Sequence, residues 1–348
     1  MRIAAIAAAI VSIVIAAFAP AWARPSPSVE LVSTDAVLRW INAYRAKPDP
    51  AGVPSLVQAL SRFGAFKDPE NAGVYVGFVA GVIGSNPARA EDLIGRMLPL
   101  PAGDQWMVVR AIAYSGHPEW KSLLRRFADR MPSRQVMIDK HIAGTLPTLY
   151  QVAPEKRTSA WQTMRSYVSF DKSKPAKDVA LEPSPELLDT FWGYYFATGA
   201  ARPISRIIGM LPWSKDNDSI DKLMLGSMAK YTLASNAARD PELLAMLKRA
   251  REHHPKEATA VINEIIDAAE TVETARLRRE AMAAIEELRR KGPGYRRNIS
   301  WWGQLGQGAL AVGCIAAAAT GHVELGLPCV ITGGVSSAAL GFWEKQQP

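Results

Sequence analysis

The chain has 348 residues, of which 48% are hydrophobic and 21% are charged, and its formal net charge is +8. That apolar share supports a folded core and excludes a wholly disordered chain. Two cysteines exclude a small disulfide-stapled scaffold and a four-cysteine zinc site, and five histidines leave little material for a histidine-rich metal cluster.

The N-terminus has the pattern of a secretory signal peptide. A single arginine precedes an uncharged apolar run over 3–19, and Ala21-Trp22-Ala23 then supplies small residues at the two positions that signal peptidase reads. We therefore predict a signal peptide at 1–23 and export to the periplasm or the envelope membrane. The alternative is an anchor that is not cleaved.

The rest of the chain is predicted to be all-α, because apolar segments of helical length alternate with short stops and no alternating β-branched run is present. Four units share one layout: an apolar helix, a stop with glycine or asparagine, and a second amphipathic helix. The units span 74–98, 106–127, 187–211 and 223–247. Glycine or asparagine tolerates the left-handed conformation that ends a helix, and proline suits the first turn of the next one.

The stops repeat at intervals typical of a helical array. Positions 86, 116, 199 and 236 are 30, 83 and 37 residues apart, and the longest gap has room for two more units. Helix pairs that repeat every 30 to 40 residues or so predict an α-solenoid.

The third unit carries a family resemblance. Tyr195 precedes Gly199 by four residues, and Ile204 and Leu211 follow at seven-residue spacing. This unit resembles a degenerate tetratricopeptide repeat, and a HEAT-like helical repeat fits equally well. The resemblance implies a scaffold that binds a protein or a peptide.

A linker is predicted at 171–185, where proline clusters interrupt the helical pattern. It separates a first helical-repeat half at 24–170 from a second half at 186–292. We expect Ser184 or Pro185 to open the first helix of the second half.

Glycine and proline are absent over 256–291, which predicts one helix of 36 residues at the end of the second half. An apolar stripe runs along this stretch, and Gly292-Pro293-Gly294 ends it. We expect a helix that caps the solenoid; the alternative is a coiled-coil or partner helix.

Residues 300–348 form an apolar tail rich in glycine and alanine. It contains two uncharged stretches of 19 residues, 303–321 and 325–343, with aromatic residues at both outer ends. Three interpretations stay open: a helical hairpin inserted in or lying on a membrane, a hairpin packed on the solenoid, and a glycine-zipper homo-oligomer. The first would make the membrane a partner through 300–348.

Both cysteines lie in this tail. Cys314 and Cys329 are 15 residues apart on opposite sides of the predicted turn, and export permits a disulfide between them. We predict that disulfide; the alternative is two buried free thiols.

Aromatic residues cluster in the second half, at Trp192, Tyr194, Tyr195, Trp213 and Tyr231. Packing between helices explains most of them, and a peptide-binding face is the alternative.

No motif for catalysis, a cofactor or a metal occurs, since the chain lacks the G-x-S-x-G elbow, the phosphate loop and G-x-G-x-x-G. We expect no catalytic residues, no cofactor and no metal. Export argues against nucleic acid as the partner of a basic chain and favours anionic lipid.

These features predict an exported helical-repeat scaffold or adaptor that binds a protein or peptide at the cell envelope. Its tail would serve membrane association or self-association. One alternative is an envelope enzyme with an unrecognised site that acts on a cell-wall polymer. Another makes the tail primary, as an oligomeric membrane-active element that the repeats regulate.

Overall fold

The computed structural model describes residues 31, 33–149, 184–216, 218–252 and 256–271. Every regular element in these ranges is helical and none is a β-strand, which confirms the predicted all-α class for this part of the chain. The signal peptide, residues 171–183 of the linker, the helix beyond 271 and the tail with Cys314 and Cys329 lie outside the described residues. The division into two halves stays a prediction.

Twelve α-helices occupy the described ranges. In chain order they are α1 (Thr34–Ala43), α2 (Val53–Arg62), α3 (Gly73–Ser85), α4 (Ala90–Met97), α5 (Gln105–Tyr114), α6 (Trp120–Phe127), α7 (Gln135–Ala143), α8 (Pro185–Thr198), α9 (Ala201–Ile208), α10 (Ile220–Ala237), α11 (Pro241–Arg251) and α12 (Lys256–Glu270). Short 3₁₀ helices connect several of them, at Tyr44–Ala46, Pro50–Gly52, Pro69–Asn71, Pro87–Arg89, Ala128–Arg130, Pro132–Arg134 and Leu211–Lys215.

The ends of α8 are as the sequence predicts. The Ser184 hydroxyl accepts a hydrogen bond from the N–H of Leu187 at 3.1 Å, and Pro185 is the first helical residue. Gly199 ends the helix in the left-handed conformation, with φ of +66°, and its N–H donates to the carbonyl of Tyr195. A side-chain cap at one end and a glycine at the other satisfy backbone groups that the helix leaves open.

The stop predicted at Asn236 is wrong, because α10 continues to Ala237. Asn236 is buried, and its side-chain amide donates to the carbonyl of Thr232 at 2.9 Å. With its amide satisfied by its own helix, this asparagine has no need to leave the helical conformation.

Helix α3 has no polar face. Its residues from Gly73 to Ile83 are all buried. Its most extensive neighbour is α8, and α5 also packs against it. An apolar helix without a polar face belongs in the interior, so α3 is a central helix of the described fold.

The α3–α8 contact brings two backbones together. A Cβ added at Gly77 would lie 2.0 Å from the carbonyl oxygen of Thr190, and one at Gly193 would lie 2.0 Å from that of Val74. Gly73 and Gly81 repeat this closeness on α3, one turn before and one turn after Gly77. Glycine is therefore required at these positions, because any side chain would force the helices apart.

The remaining helices extend this core. The indole N–H of Trp192 on α8 donates to the Thr232 hydroxyl on α10 at 3.0 Å. Helix α12 packs on α10 and α11 and buries Val261, Ile262 and Ile265. This helix begins at Lys256, as predicted, but it ends at Glu270 and Thr271 forms a turn, so the single helix predicted over 256–291 does not continue without a break. None of the described helices combines the length and the hydropathy that a membrane crossing requires.

Candidate functional site

A cavity of about 530 Å³ lies where the α2–α3 connection, the start of α5 and the start of α7 meet. We call it the basic cleft. Its lining residues are Phe66, Lys67, Pro69, Gly103, Asp104, Trp106, Arg110, Arg134 and Met137.

Two aromatic residues hold the cleft wall in place. The indole N–H of Trp106 donates to the carbonyl oxygen of Phe66 at 3.2 Å, which ties the α2–α3 connection to α5. The Phe66 ring meets the Tyr75 ring edge-on at 6.4 Å between centroids. Trp106 and Phe66 are only 7% and 1% exposed, so this wall is already packed and rigid.

Arg110 connects the cleft to α8. Its guanidinium forms an ion pair with Glu186, in the first turn of α8, and lies 5.1 Å from the Trp106 ring centroid. Burial raises the pKa of Glu186 above its usual range, and the positive charge of Arg110 opposes that rise. Arg110 therefore does two things: it lines the cleft and it stabilises a partly buried carboxylate on a neighbouring helix.

Arg134 is fixed by neutral acceptors. Its Nη2 donates to the carbonyl oxygens of Ala102 and Gly103 at 2.8 and 3.0 Å, and its Nε donates to Ala102 at 3.2 Å. These bonds orient the guanidinium but leave its charge uncompensated. Lys67 is exposed and forms no ion pair within the described ranges. Asp104, the one carboxylate of the lining, accepts a hydrogen bond from the Ser61 hydroxyl.

Exposed hydrophobic side chains occur in two of the segments that line the cleft. Phe63 is 40% exposed and Val136 is 69% exposed, and in the part of the chain that the structure describes they are the large hydrophobic residues with this property. Phe63 precedes Phe66 and Lys67 in the α2–α3 connection, and Val136 is next to Met137 in α7. Two of the three segments that line the cleft thus also carry an apolar side chain that is exposed to solvent.

A buried histidine lies one helical turn after Met137. His141 is 2% exposed, and its ring meets the Tyr114 ring edge-on at 6.3 Å between centroids. Burial, with a smaller contribution from the charge of Arg110, lowers the pKa of His141 to about 4. The imidazole is therefore neutral near pH 7 and adds no charge behind the cleft.

The five predicted aromatic residues have different environments. Trp192 and Tyr195 are fully buried and Tyr231 is 7% exposed, whereas Tyr194 and Trp213 are half-buried. Trp192 stacks on Phe196 at 5.7 Å between centroids, and the Tyr194 hydroxyl donates to the carbonyl of Ser115 at 3.0 Å. Internal packing accounts for the buried three; a partner-binding role for the set stays a prediction.

Sequence reasoning missed a second polar cluster, around Arg45. Its guanidinium forms ion pairs with Asp240, at 2.6 Å, and with Glu242, and lies 4.7 Å from the Tyr195 ring centroid. The Tyr195 hydroxyl donates to the same oxygen of Asp240 at 2.7 Å. Partial burial raises the pKa of Asp240, but the hydrogen bonds from Tyr195 and Arg45 outweigh it and hold the pKa below its usual range. Since every member is partnered internally, this cluster ties elements together.

Metal chemistry finds no support among the described residues, which contain no group of three or more histidine, cysteine, aspartate or glutamate side chains able to hold an ion. No family model matches the chain, and no curated protein or solved structure gives a significant match.

Proposed function

We propose that this protein is a helical scaffold that binds a peptide or a protein segment in the basic cleft. The observation that carries the proposal is a coincidence of three properties at one place. An open cavity, cations without carboxylate partners, and the exposed side chains of Phe63 and Val136 all belong to the same segments. A concave site with a few oriented polar groups and apolar neighbours is typical of ligand binding.

The proposed architecture is a degenerate α-solenoid. Helices α3, α5 and α8 are the first helices of three predicted units, and α3 packs on both of the others. This adjacency supports a layer of first helices in the spatial order α5, α3, α8, which differs from their order along the chain. In this proposal α3 is the central member, and the glycine-packed contact with α8 joins the units on either side of residues 150–183.

The proposed place of action is the cell envelope. It follows from the signal-peptide pattern at 1–23 and from the tail at 300–348, which would provide membrane association or self-association. The cleft would then recruit a partner at the membrane surface.

The expected affinity is modest. A cavity of about 530 Å³ takes a few side chains of a short segment, far less than a standard protein–protein interface buries. We expect dissociation constants on the order of micromolar, as in transient recognition.

Selection from a random peptide library on the full chain tests the proposal. Enriched peptides should bind Val136→Asp at least about fivefold more weakly than the wild type, since the substitution places a charge beside an apolar contact. Ala201→Asp is the matched control, because it also puts an aspartate in the first turn of a helix at an exposed position outside the cleft. It should bind like the wild type. No enrichment, or equal binding to Val136→Asp, would contradict the proposal.

A further inference from the structure

The charges of the basic cleft are unbalanced. Its lining contains Lys67, Arg110 and Arg134 but only one carboxylate, Asp104. Arg110 is neutralised by Glu186, whereas Lys67 and Arg134 form no ion pair within the described ranges. With Asp104 counted, the lining keeps a net charge of +1, and neither Lys67 nor Arg134 is ion-paired to a described carboxylate.

Arg134 is oriented in advance for a ligand. Three hydrogen bonds to the carbonyls of Ala102 and Gly103 use Nε and Nη2, while Nη1 donates to no described acceptor. A guanidinium held by neutral carbonyls loses little further freedom when an anion binds, and a charge-assisted hydrogen bond to a carboxylate is about twice as strong as a neutral one.

Acidic residues near the cleft do not cancel this charge. Asp68 and Glu70 follow Lys67, and their charges help to raise the pKa of Glu186. Both are exposed, as Lys67 is, and neither belongs to the lining, so they offset mainly the charge of Lys67 in their own segment. They lie in the segment that carries Lys67, whereas Arg134 belongs to a different wall of the cleft.

The cleft walls favour peptide over nucleic acid. Nucleotide bases stack on exposed aromatic faces, and the rings that line the cleft itself, those of Trp106 and Phe66, are almost fully buried; Phe63, which is outside the lining, is the exposed ring in these segments. The exposed apolar groups beside the cleft are instead Phe63 and Val136, which suit the aliphatic or aromatic side chain of a peptide.

Resting on the proposed function, we propose that the ligand of the basic cleft is an acidic peptide segment with an apolar residue next to its carboxylates. One carboxylate binds the free edge of Arg134, Lys67 neutralises a second charge at the rim, and the apolar side chain packs beside Val136. Recognition then depends on salt, as charge complementarity at a partly exposed site does.

The direct test measures the binding of two labelled peptides to the full chain by fluorescence anisotropy. The first peptide has seven residues: five glutamates, one phenylalanine and one leucine. The second has the same sequence with every glutamate replaced by glutamine. We expect the acidic peptide to bind at least about tenfold more tightly at low salt, and to lose that advantage as salt is raised.

Neutral variants locate the charge. Lys67→Gln and Arg134→Gln should each weaken binding of the acidic peptide about fivefold, and the glutamine peptide should be unaffected. Lys47→Gln and Arg125→Gln remove the same charge at exposed positions outside the lining and should bind like the wild type. Because the side chain of Lys67 is exposed and makes no described hydrogen bond, its variant tests the proposal even if Arg134→Gln fails to fold.

The remaining outcomes overturn the proposal in distinct ways. Equal binding of the two peptides, with both weakened by Val136→Asp, would remove the acidic specificity and leave the peptide-binding function standing. Weakening by the control variants as strong as by the cleft variants would reduce the effect to net charge. Tighter binding of a single-stranded oligothymidine that Lys67→Gln abolishes would assign the cleft to nucleic acid. If neither peptide binds while the library still yields ligands, the acidic chemistry is wrong and the scaffold function survives.

Discussion

The α3–α8 contact and the basic cleft differ in what the chain supplies. At the contact, glycines have no side chain, so one backbone can lie against the other. There is no room for a methyl group at Gly77 or at Gly193. At the cleft, long charged side chains line a space that stays open. The glycine positions of the first region tolerate no side chain, whereas the exposed charged positions of the second tolerate substitution, which separates a source of stability from the proposed source of recognition.

The strongest test of this separation is Gly77→Ala. The added methyl group would meet the Thr190 carbonyl oxygen at 2.0 Å, so α3 and α8 must move apart. We expect a loss of at least about 3 kcal/mol in the free energy of unfolding, measured by urea denaturation with circular dichroism. Gly103→Ala is the matched control at the cleft, because a Cβ there would meet nothing within 4 Å. It should change stability by less than about 0.5 kcal/mol; equal effects at the two sites would contradict the comparison.

His141 tests whether the wall behind the cleft contributes to stability through burial. Its pKa is about 4 when folded, against 6.5 for the ordinary group, so the unfolded chain binds the proton more readily between these values. Stability should therefore fall as the pH drops from about 6.5 towards 4.

The measurement compares the wild type with His141→Leu at pH 7 and pH 5. The advantage of the wild type should shrink by about 2 kcal/mol at the lower pH, because leucine does not titrate. Parallel pH curves for the two proteins would show that His141 is not buried as a neutral ring.

A smaller effect is expected where α8 ends. Gly199 has a φ of +66°, and a valine there would be strained by its branched side chain. Gly199→Val should cost about 1–2 kcal/mol in thermal denaturation. Gly144→Ala, at φ of +77° with no neighbour within 4 Å of the new Cβ, isolates the backbone cost and should lose about 1 kcal/mol. If neither variant changes the stability, the left-handed glycines at the ends of these helices do not contribute to it.

The smallest expected change in stability belongs to the cleft itself. Lys67→Gln should alter the free energy of unfolding by less than about 0.5 kcal/mol, because the side chain is exposed and has no described partner. The same variant should weaken binding of the acidic peptide. A clear loss of stability would show that Lys67 has a structural role, and would contradict the separation of the stabilising contact from the binding cleft.

Local chemistry is what the sequence makes predictable. Ser184, Pro185 and Gly199 delimit α8 because capping and the left-handed turn depend on neighbours within a few residues. The stop predicted at Asn236 came one residue too early, because this residue is buried and its side-chain amide donates to the carbonyl of Thr232 within the helix.

Pairing across the chain was not predictable in this way. Gly73, Gly77 and Gly81 recur every four residues, which places them on one side of α3, but nothing local shows that α8 is their partner. The basic cleft draws on segments near 66, 106 and 134, none of which has a recognisable motif. The four-residue spacing of Trp106 and Arg110 indicates that they share one side of α5. The sequence does not show that the segments near 66 and 134 lie opposite that side and complete the cavity.

The distance along the chain between α3 and α8 sets an order of events during synthesis. Helix α3 is apolar on every side, yet the helix that covers its glycine face emerges more than one hundred residues later. Until then the nascent chain exposes part of an apolar helix. Long-range contacts form slowly, so association with other chains competes with correct folding. A nascent chain that stops before Pro185 should therefore depend on a holding chaperone, and that dependence should disappear once α8 has been made.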